Sequence, residues 1–160
     1  LAKQSGAEVT AWIRREESRG LVTDSGADHV VVAETGAVAA ANGPYHCILD
    51  SVGGQVLADC LHLVARDGVL VNFGISAGET ATIDVGAFFR TGRSRYYGLY
   101  LFTEFGRRPA RDGLGVLLGL LAAGRLDTHI ATEGDLDGLG RLAERLFNRE
   151  ITGKAVVVLD

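Results

Sequence analysis

An α/β fold built on a parallel sheet is what this sequence predicts, and three observations carry the prediction. Residues 45–54, YHCILDSVGG, run from apolar and β-branched positions into Asp50, Ser51 and two glycines. That is the pattern of a buried strand that stops abruptly and lets backbone approach a ligand. Residues 69–74, VLVNFG, repeat it. Between the two, residues 55–65 place Val56, Leu57, Cys60, Leu61 and Val64 on one face of a 3.6-residue period, which predicts a helix. Strand, apolar helix and strand make a crossover between parallel strands. Such crossovers are right-handed, and open parallel sheets bind ligands at the carboxyl ends of their strands, so a site is expected around residues 50–54 and 73–76.

The remaining elements follow in chain order. Residues 8–13, EVTAWI, predict a strand that ends at Arg14 and Arg15. A short helix over 16–25 leads through Gly26-Ala27-Asp28 into a strand over 29–33, HVVVA. Residues 35–42 predict an Ala-rich helical turn or two, broken at Asn42-Gly43-Pro44. Beyond the second anchor strand, 76–79 reads as a loop, 84–90 as a short helix with Asp84 as its cap, and 94–102, SRYYGLYLF, as an aromatic strand. Pro109 opens a helix whose stripe of Leu114, Leu117, Leu118 and Leu121 ends at Gly124. Residues 135–148 repeat that design with Leu139, Leu142, Ala143 and Leu146, and 155–159, AVVVL, predict a closing strand.

Composition bounds the function classes. The 160 residues suit one domain with a single substantial core. With 47% hydrophobic and 22% charged residues and a net charge of −4, the chain reads as globular, not as a disordered tail and not as a nucleic-acid binder. Cys47 and Cys60 have neither the number nor the spacing of a disulfide framework or a zinc knuckle, so a reducing cytoplasm is expected. No apolar run has the length of a membrane span, and residues 1–6 carry no signal pattern. Those six, LAKQSG, lack an initiator Met and read as the last turns of a helix with its Gly cap, as though earlier residues had been removed.

A series of motifs runs along the chain: Leu1-Ala2-Lys3 with Gly6-Ala7-Glu8-Val9, Gly26-Ala27-Asp28-His29-Val30, Leu49-Asp50-Ser51-Val52-Gly53-Gly54, and Asn72-Phe73-Gly74. Tyr97-Gly98, Leu101-Phe102, Ala123-Gly124-Arg125-Leu126 and Gly153-Lys154-Ala155-Val156 continue the series. In this order and spacing they resemble the cofactor-binding domain of the medium-chain dehydrogenase/reductase superfamily, in its quinone-oxidoreductase-like branch. The resemblance implies a Rossmann-type doubly wound parallel sheet that lacks its first strand and Gly-rich loop, the two parts the family places before the helix ending at residues 1–6. It also implies that residues 1–160 are the C-terminal part of a longer oxidoreductase, and that this part alone is inactive. In such a sheet the missing strand is central, so a gap, a rearrangement or a borrowed strand is expected between residues 8–13 and 45–50.

At the end of the 8–13 strand, dinucleotide proteins read the ribose, with an acid for NADH or a basic cluster for a 2′-phosphate. Ile13 stands where the acid would be; Arg14, Arg15 and Ser18 follow, and a guanidinium fork with a hydroxyl suits a phosphate dianion, which favours NADPH. The alternative for Arg14-Arg15 is a solvated pair balanced by Glu16 and Glu17. By resemblance, Ser51, Val52, Gly53 and Gly54 line the cofactor crevice, Phe73, Gly74 and Ile75 pack near the nicotinamide, and Leu101 and Phe102 complete that pocket. Ordinary core packing is the alternative for these apolar side chains, and a strand-ending turn for the Gly pair. Lys154 stands where the family directs a basic residue to the pyrophosphate; a solvated lysine is its alternative.

No catalytic residue is assigned. Asp50 reads as a cap or a binder of backbone amides, and His29, His46, His62 and His129 have no metal-ligand spacing. The parent enzyme implied by the resemblance uses NADPH to reduce a quinone or an α,β-unsaturated carbonyl, with the protein positioning the cofactor. The family also implies a homodimer through the strand over 94–102. Composition, charge and apolar run length point to neither nucleic acid nor membrane as partner. The rival reading from another class is a non-catalytic Rossmann-like interaction or sensor module that binds no cofactor. A methyltransferase would need an acid after its second strand, against Ile13 and the arginines.

Overall fold

The computed structural model describes residues 1–36 and 38–159, which fall into two compact units, Leu1–Ala110 and Arg111–Asp160. In the first unit β1 (Thr10–Ile13) pairs in parallel with β2 (His29–Val32), and β3 (Tyr45–Asp50), β4 (Val64–Asn72) and β5 (Arg95–Gly98) form a second parallel sheet with β4 at its centre. The short α1 (Arg19–Asp24) connects β1 to β2, and α2 (Gly54–Leu63) and α3 (Val85–Thr91) connect the strands of the second sheet. This is the Rossmann-type architecture expected, parallel strands joined through helices. Among the described residues β1 bonds only to β2 and β3 only to β4, so the gap expected between them is present.

The core of this unit is built where the period predicted it. Cys60 and Leu61 of α2 pack with Val64 and Leu70 of β4, and Leu70 is wholly buried. Trp12 of β1 and Ile48 of β3 both lie against that cluster, with Phe88 of α3. The two sheets therefore share one apolar core although their backbones do not bond. The Trp12 indole N–H donates to the Ala33 carbonyl at 2.8 Å, which satisfies the ring's polar atom on β2's own continuation.

Several boundaries differ from the sequence reading. The helix predicted over 55–65 stops at Leu63, because Val64 is extended (φ −70°, ψ 130°) and pairs with Tyr45. Strand β4 thus begins five residues before the predicted Val69, passing an irregularity at Asp67, whose φ of 63° breaks the register between Tyr45 and Cys47. The aromatic strand predicted over 94–102 covers only Arg95–Gly98; β4 ends at Asn72, the partner of Gly98, and the chain turns into α4 (Leu101–Glu104). The helical turn predicted over 35–42 covers Ala39–Asn42, and residue 37 lies outside the described residues. Residues 3–5 do form a helical turn, closed by Gly6 at φ 81°.

The second unit contains all of α5 (Ala110–Ala122) but its first residue, with β6 (Ile130–Gly134), α6 (Leu139–Phe147) and β7 (Lys154–Val157), and β6 and β7 are parallel. Strand β6 was not expected from the sequence. The helix predicted over 135–148 is shorter at its start because the Asp135 carboxylate accepts from the Gly138 amide at 2.7 Å, which holds residues 135–138 in a turn. Leu142 is buried, and Gly134 leaves room for it: a side-chain carbon at residue 134 would lie 2.7 Å from Leu142 Cδ1.

Candidate functional site at the strand ends of the first unit

Strands β3 and β4 end side by side, with Asp50 and Asn72 as register partners. Both side chains are buried. The Asp50 carboxylate accepts from the Val52 amide at 2.9 Å, from the Gly53 amide at 3.1 Å and from Asn72 Nδ2 at 2.7 Å. Asn72 Nδ2 also donates to the Gly74 carbonyl at 2.7 Å. The two loops that leave these strands, 51–54 and 73–78, are joined again further out. Phe73 N–H donates to the Asp50 carbonyl, Ala77 N–H to the Val52 carbonyl, both at 2.8 Å, and Gly53 forms a parallel bridge with Gly78.

Gly53 has a φ of 72°, and a side-chain carbon there would lie 2.6 Å from the Gly78 carbonyl; one at Gly74 would collide with the Ser51 carbonyl. These glycines are required because one loop's backbone lies against the other's. The close approach expected from the sequence is therefore, at Gly53 and Gly74, between loop and loop. Ser51 faces solvent, Val52 is half-buried, and Gly53 and Gly54 are buried.

Beside these loops an apolar cavity of about 440 Å³ opens at the carboxyl ends of β4 and β5, lined by Phe73, Leu99, Tyr100, Leu101 and Phe102. Its aromatic rim is mutually packed: Tyr100 and Phe102 have ring centroids 5.4 Å apart, and Phe105 meets Phe102 edge-on at 6.1 Å. The Tyr97 hydroxyl donates to the Glu104 carboxylate, tying β5 to α4 under the cavity, and that bond raises the Tyr97 pKa. Phe73 and Phe102 expose half or more of their surface, which core side chains do not do.

The structure thus brings together Phe73, Leu101 and Phe102 from the predicted set, with Gly74 and Ile75 next to Phe73 on the loop bonded to residues 51–54. Ile75 is exposed and outside the cavity lining. Leu99 and Tyr100 were missed; they were read as strand residues, and the turn after Gly98 that aims them into the cavity has no sequence signal beyond the glycine.

Arg14, Arg15 and Ser18 follow β1, at the end of the other sheet. Both arginines are exposed, and among the described residues neither forms an ion pair. Glu16 is taken by Arg19 instead, which lowers the Glu16 pKa. Ser18 is half-buried at the cap position of α1, and its hydroxyl makes no capping bond. Lys154 belongs to the second unit, where it opens β7 opposite Ile130 and is exposed.

A sequence profile described as zinc-binding dehydrogenase matches residues 25–157. The chain belongs to the zinc-binding dehydrogenase family. Its membership places it in the medium-chain dehydrogenase/reductase superfamily, as the motifs implied. No curated protein sequence matches this dehydrogenase-family chain. Solved structures do. The chain is similar to a mycobacterial quinone oxidoreductase at 21% identity and a TM-score of 0.85, covering 99% of this chain and 51% of that one. It is similar to the mycobacterial protein Rv1454c complexed with NADPH at 21% identity and 0.80, with the same coverage. It is also similar to the Bacillus subtilis protein yhfP with NAD bound at 18% identity and 0.74, covering 96% and 47%. The family member described here spans about half the length of the solved structures it matches. Among its described residues no group of three or more His, Cys, Asp or Glu side chains is placed to hold a metal ion, so the metal of the family's description has no ligand set there.

Proposed function

We propose that residues 1–160 serve as the NADPH-binding domain of an oxidoreductase that transfers hydride to a quinone or an α,β-unsaturated carbonyl, acting as part of a longer enzyme. The observation that carries the cofactor choice is the arginine pair after β1. Two adjacent exposed guanidiniums without carboxylate partners among the described residues, with the Ser18 hydroxyl that makes no capping bond, offer donors for a phosphate dianion. No acid follows Ile13 until Glu16, and Glu16 is engaged by Arg19.

The nicotinamide end fits the apolar cavity, whose aromatic rim suits one face of a flat heterocycle and excludes water from it. In this reading Phe73 and Phe102 hold the ring, and Ser51 to Gly54 and Ile75 contact the rest of the dinucleotide. The bound cofactor supplies the hydride. This chain's side chains orient it, and a catalytic group is assigned to none of them.

We also propose a homodimer through β5, whose free edge and exposed Tyr96 and Tyr97 leave an unpaired strand of the kind that joins sheets across a two-fold axis. A cytoplasmic location is proposed on the two free cysteines, and cell fractionation tests it. Among the described residues no helix is long and apolar enough to cross a membrane.

Titration calorimetry tests the cofactor reading. NADPH should bind more tightly than NADH, and Arg14→Ala/Arg15→Ala should reduce NADPH affinity by about 10- to 100-fold while leaving NADH nearly unchanged. Binding of neither dinucleotide would favour the interaction or sensor module instead.

A further inference from the structure

We infer that Asp50 and Asn72 are positioning residues that lock loops 51–54 and 73–78 into one rigid body for the nicotinamide half of the cofactor; this inference rests on the function proposed above. Neither residue reaches the cavity. What they hold are the two loops beside it.

The argument is one of bond direction and burial. A carboxylate this deeply buried needs donors for its oxygens, and Asp50 draws them from both loops' roots: Val52 and Gly53 on its own side, Asn72 on the other. Asn72 uses the same amide nitrogen to donate to the Gly74 carbonyl, so a single NH₂ group spans from strand β3 to the second loop. Ala77 to Val52 and the Gly53–Gly78 bridge then repeat the connection farther from the strands. Loops with this many bonds to each other, and with Gly53 and Gly74 in steric contact with the opposite backbone, cannot move independently. Pre-setting their separation removes an ordering cost that a bound dinucleotide would otherwise bear.

Asn72→Ala removes one of the carboxylate's donors and the only described side-chain donor to Gly74, while the Val52 and Gly53 amides still satisfy Asp50, so the variant should fold. Asp50→Asn is the complement: in either orientation its NH₂ would meet a donor, the Asn72 amide and Gly53 N–H on one side or the Val52 N–H on the other. Two measurements on the full chain test the inference. Amide hydrogen exchange without ligand should quicken at Val52, Gly53 and Ala77 together in Asn72→Ala and leave β2 unchanged. Calorimetry should show NADPH weakened about tenfold in both variants and 2′,5′-ADP, which carries only the adenosine half, changed by less than about twofold.

Unchanged exchange in one loop, unchanged NADPH affinity, or equal weakening of NADPH and 2′,5′-ADP would each overturn the inference. If the wild-type chain bound neither ligand, the proposed function would fail. The exchange measurement would then decide the loop coupling by itself.

Discussion

Cys60 and Cys47 show how strongly burial sets the chemistry of a single side chain. Cys60 lies inside the core, and burial, with the Asp50 and Asp59 carboxylates adding to it, pushes its thiol up to about 12. Cys47 is exposed on β3. Because the thiolate is the reactive form, iodoacetamide at mildly alkaline pH should label the native chain once, at Cys47. Mass spectrometry showing a second adduct before denaturation would contradict the packing of Cys60. Aspartates give a pH dependence of definite sign. The Asp28 carboxyl is held below its usual range by the hydrogen bond from Lys3 at 2.6 Å and then by the Val9 amide, and Asp84 by the Ala87 amide at the start of α3. A carboxyl whose folded pKa is depressed adds stability that is present above its unfolded pKa and is lost as pH falls through the folded value. Thermal stability should therefore fall as pH drops below about 4, and Asp28→Asn should flatten that fall. At this scale the sequence was legible where one residue does one local job: the Asp84 cap and the Gly6 cap both stand where they were read. At Asp50 the binding of backbone amides was legible and the Val52 and Gly53 amides bear it out, but the third donor, Asn72 of β4, is one that only the fold brings there.

Elements were legible where their period is local and blurred where a partner decides their ends. The face of Val56, Leu57, Cys60 and Leu61 identifies α2, but Val64 continues the same apolar period and is nevertheless a strand residue, because pairing with Tyr45 outweighs helix propensity. Strand β6, with Thr132 and Glu133 among its five residues, has no apolar run to announce it and is defined by pairing with β7. The α2/β4 core should carry much of the first unit's stability. Leu70→Ala, at the one large side chain that is fully buried among the described residues, should cost about 2–5 kcal/mol in denaturant unfolding. A cost below about 1 kcal/mol would mean that β4 does not sit on α2 as described. Gly53→Ala should also destabilise, by about 1–3 kcal/mol, since its positive φ and the Gly78 carbonyl leave no room for a methyl group.

For the whole molecule, the order of motifs carried the family correctly across most of the chain, because each motif marks a strand end that the fold must place. The break between β1 and β3 was expected too, from the central strand that the resemblance implies between them. The division into two compact units was not, because Pro109, which stands at the boundary, was read as the start of a helix and not as a break between units. Light scattering after size exclusion should give the mass of two chains if the free β5 edge joins two copies. A single-chain mass at high concentration would remove the dimer from the account.

For the proposed reading of a 2′-phosphate at Arg14 and Arg15, Trp12 is the probe already in place. It is the only tryptophan, lies half-buried two residues before Arg14, and is fixed by its bond to Ala33. Its fluorescence should be quenched saturably by NADPH, less by NADH, and the difference should vanish in Arg14→Ala/Arg15→Ala. Equal responses to both dinucleotides, or a difference that survives removal of the arginines, would contradict that reading.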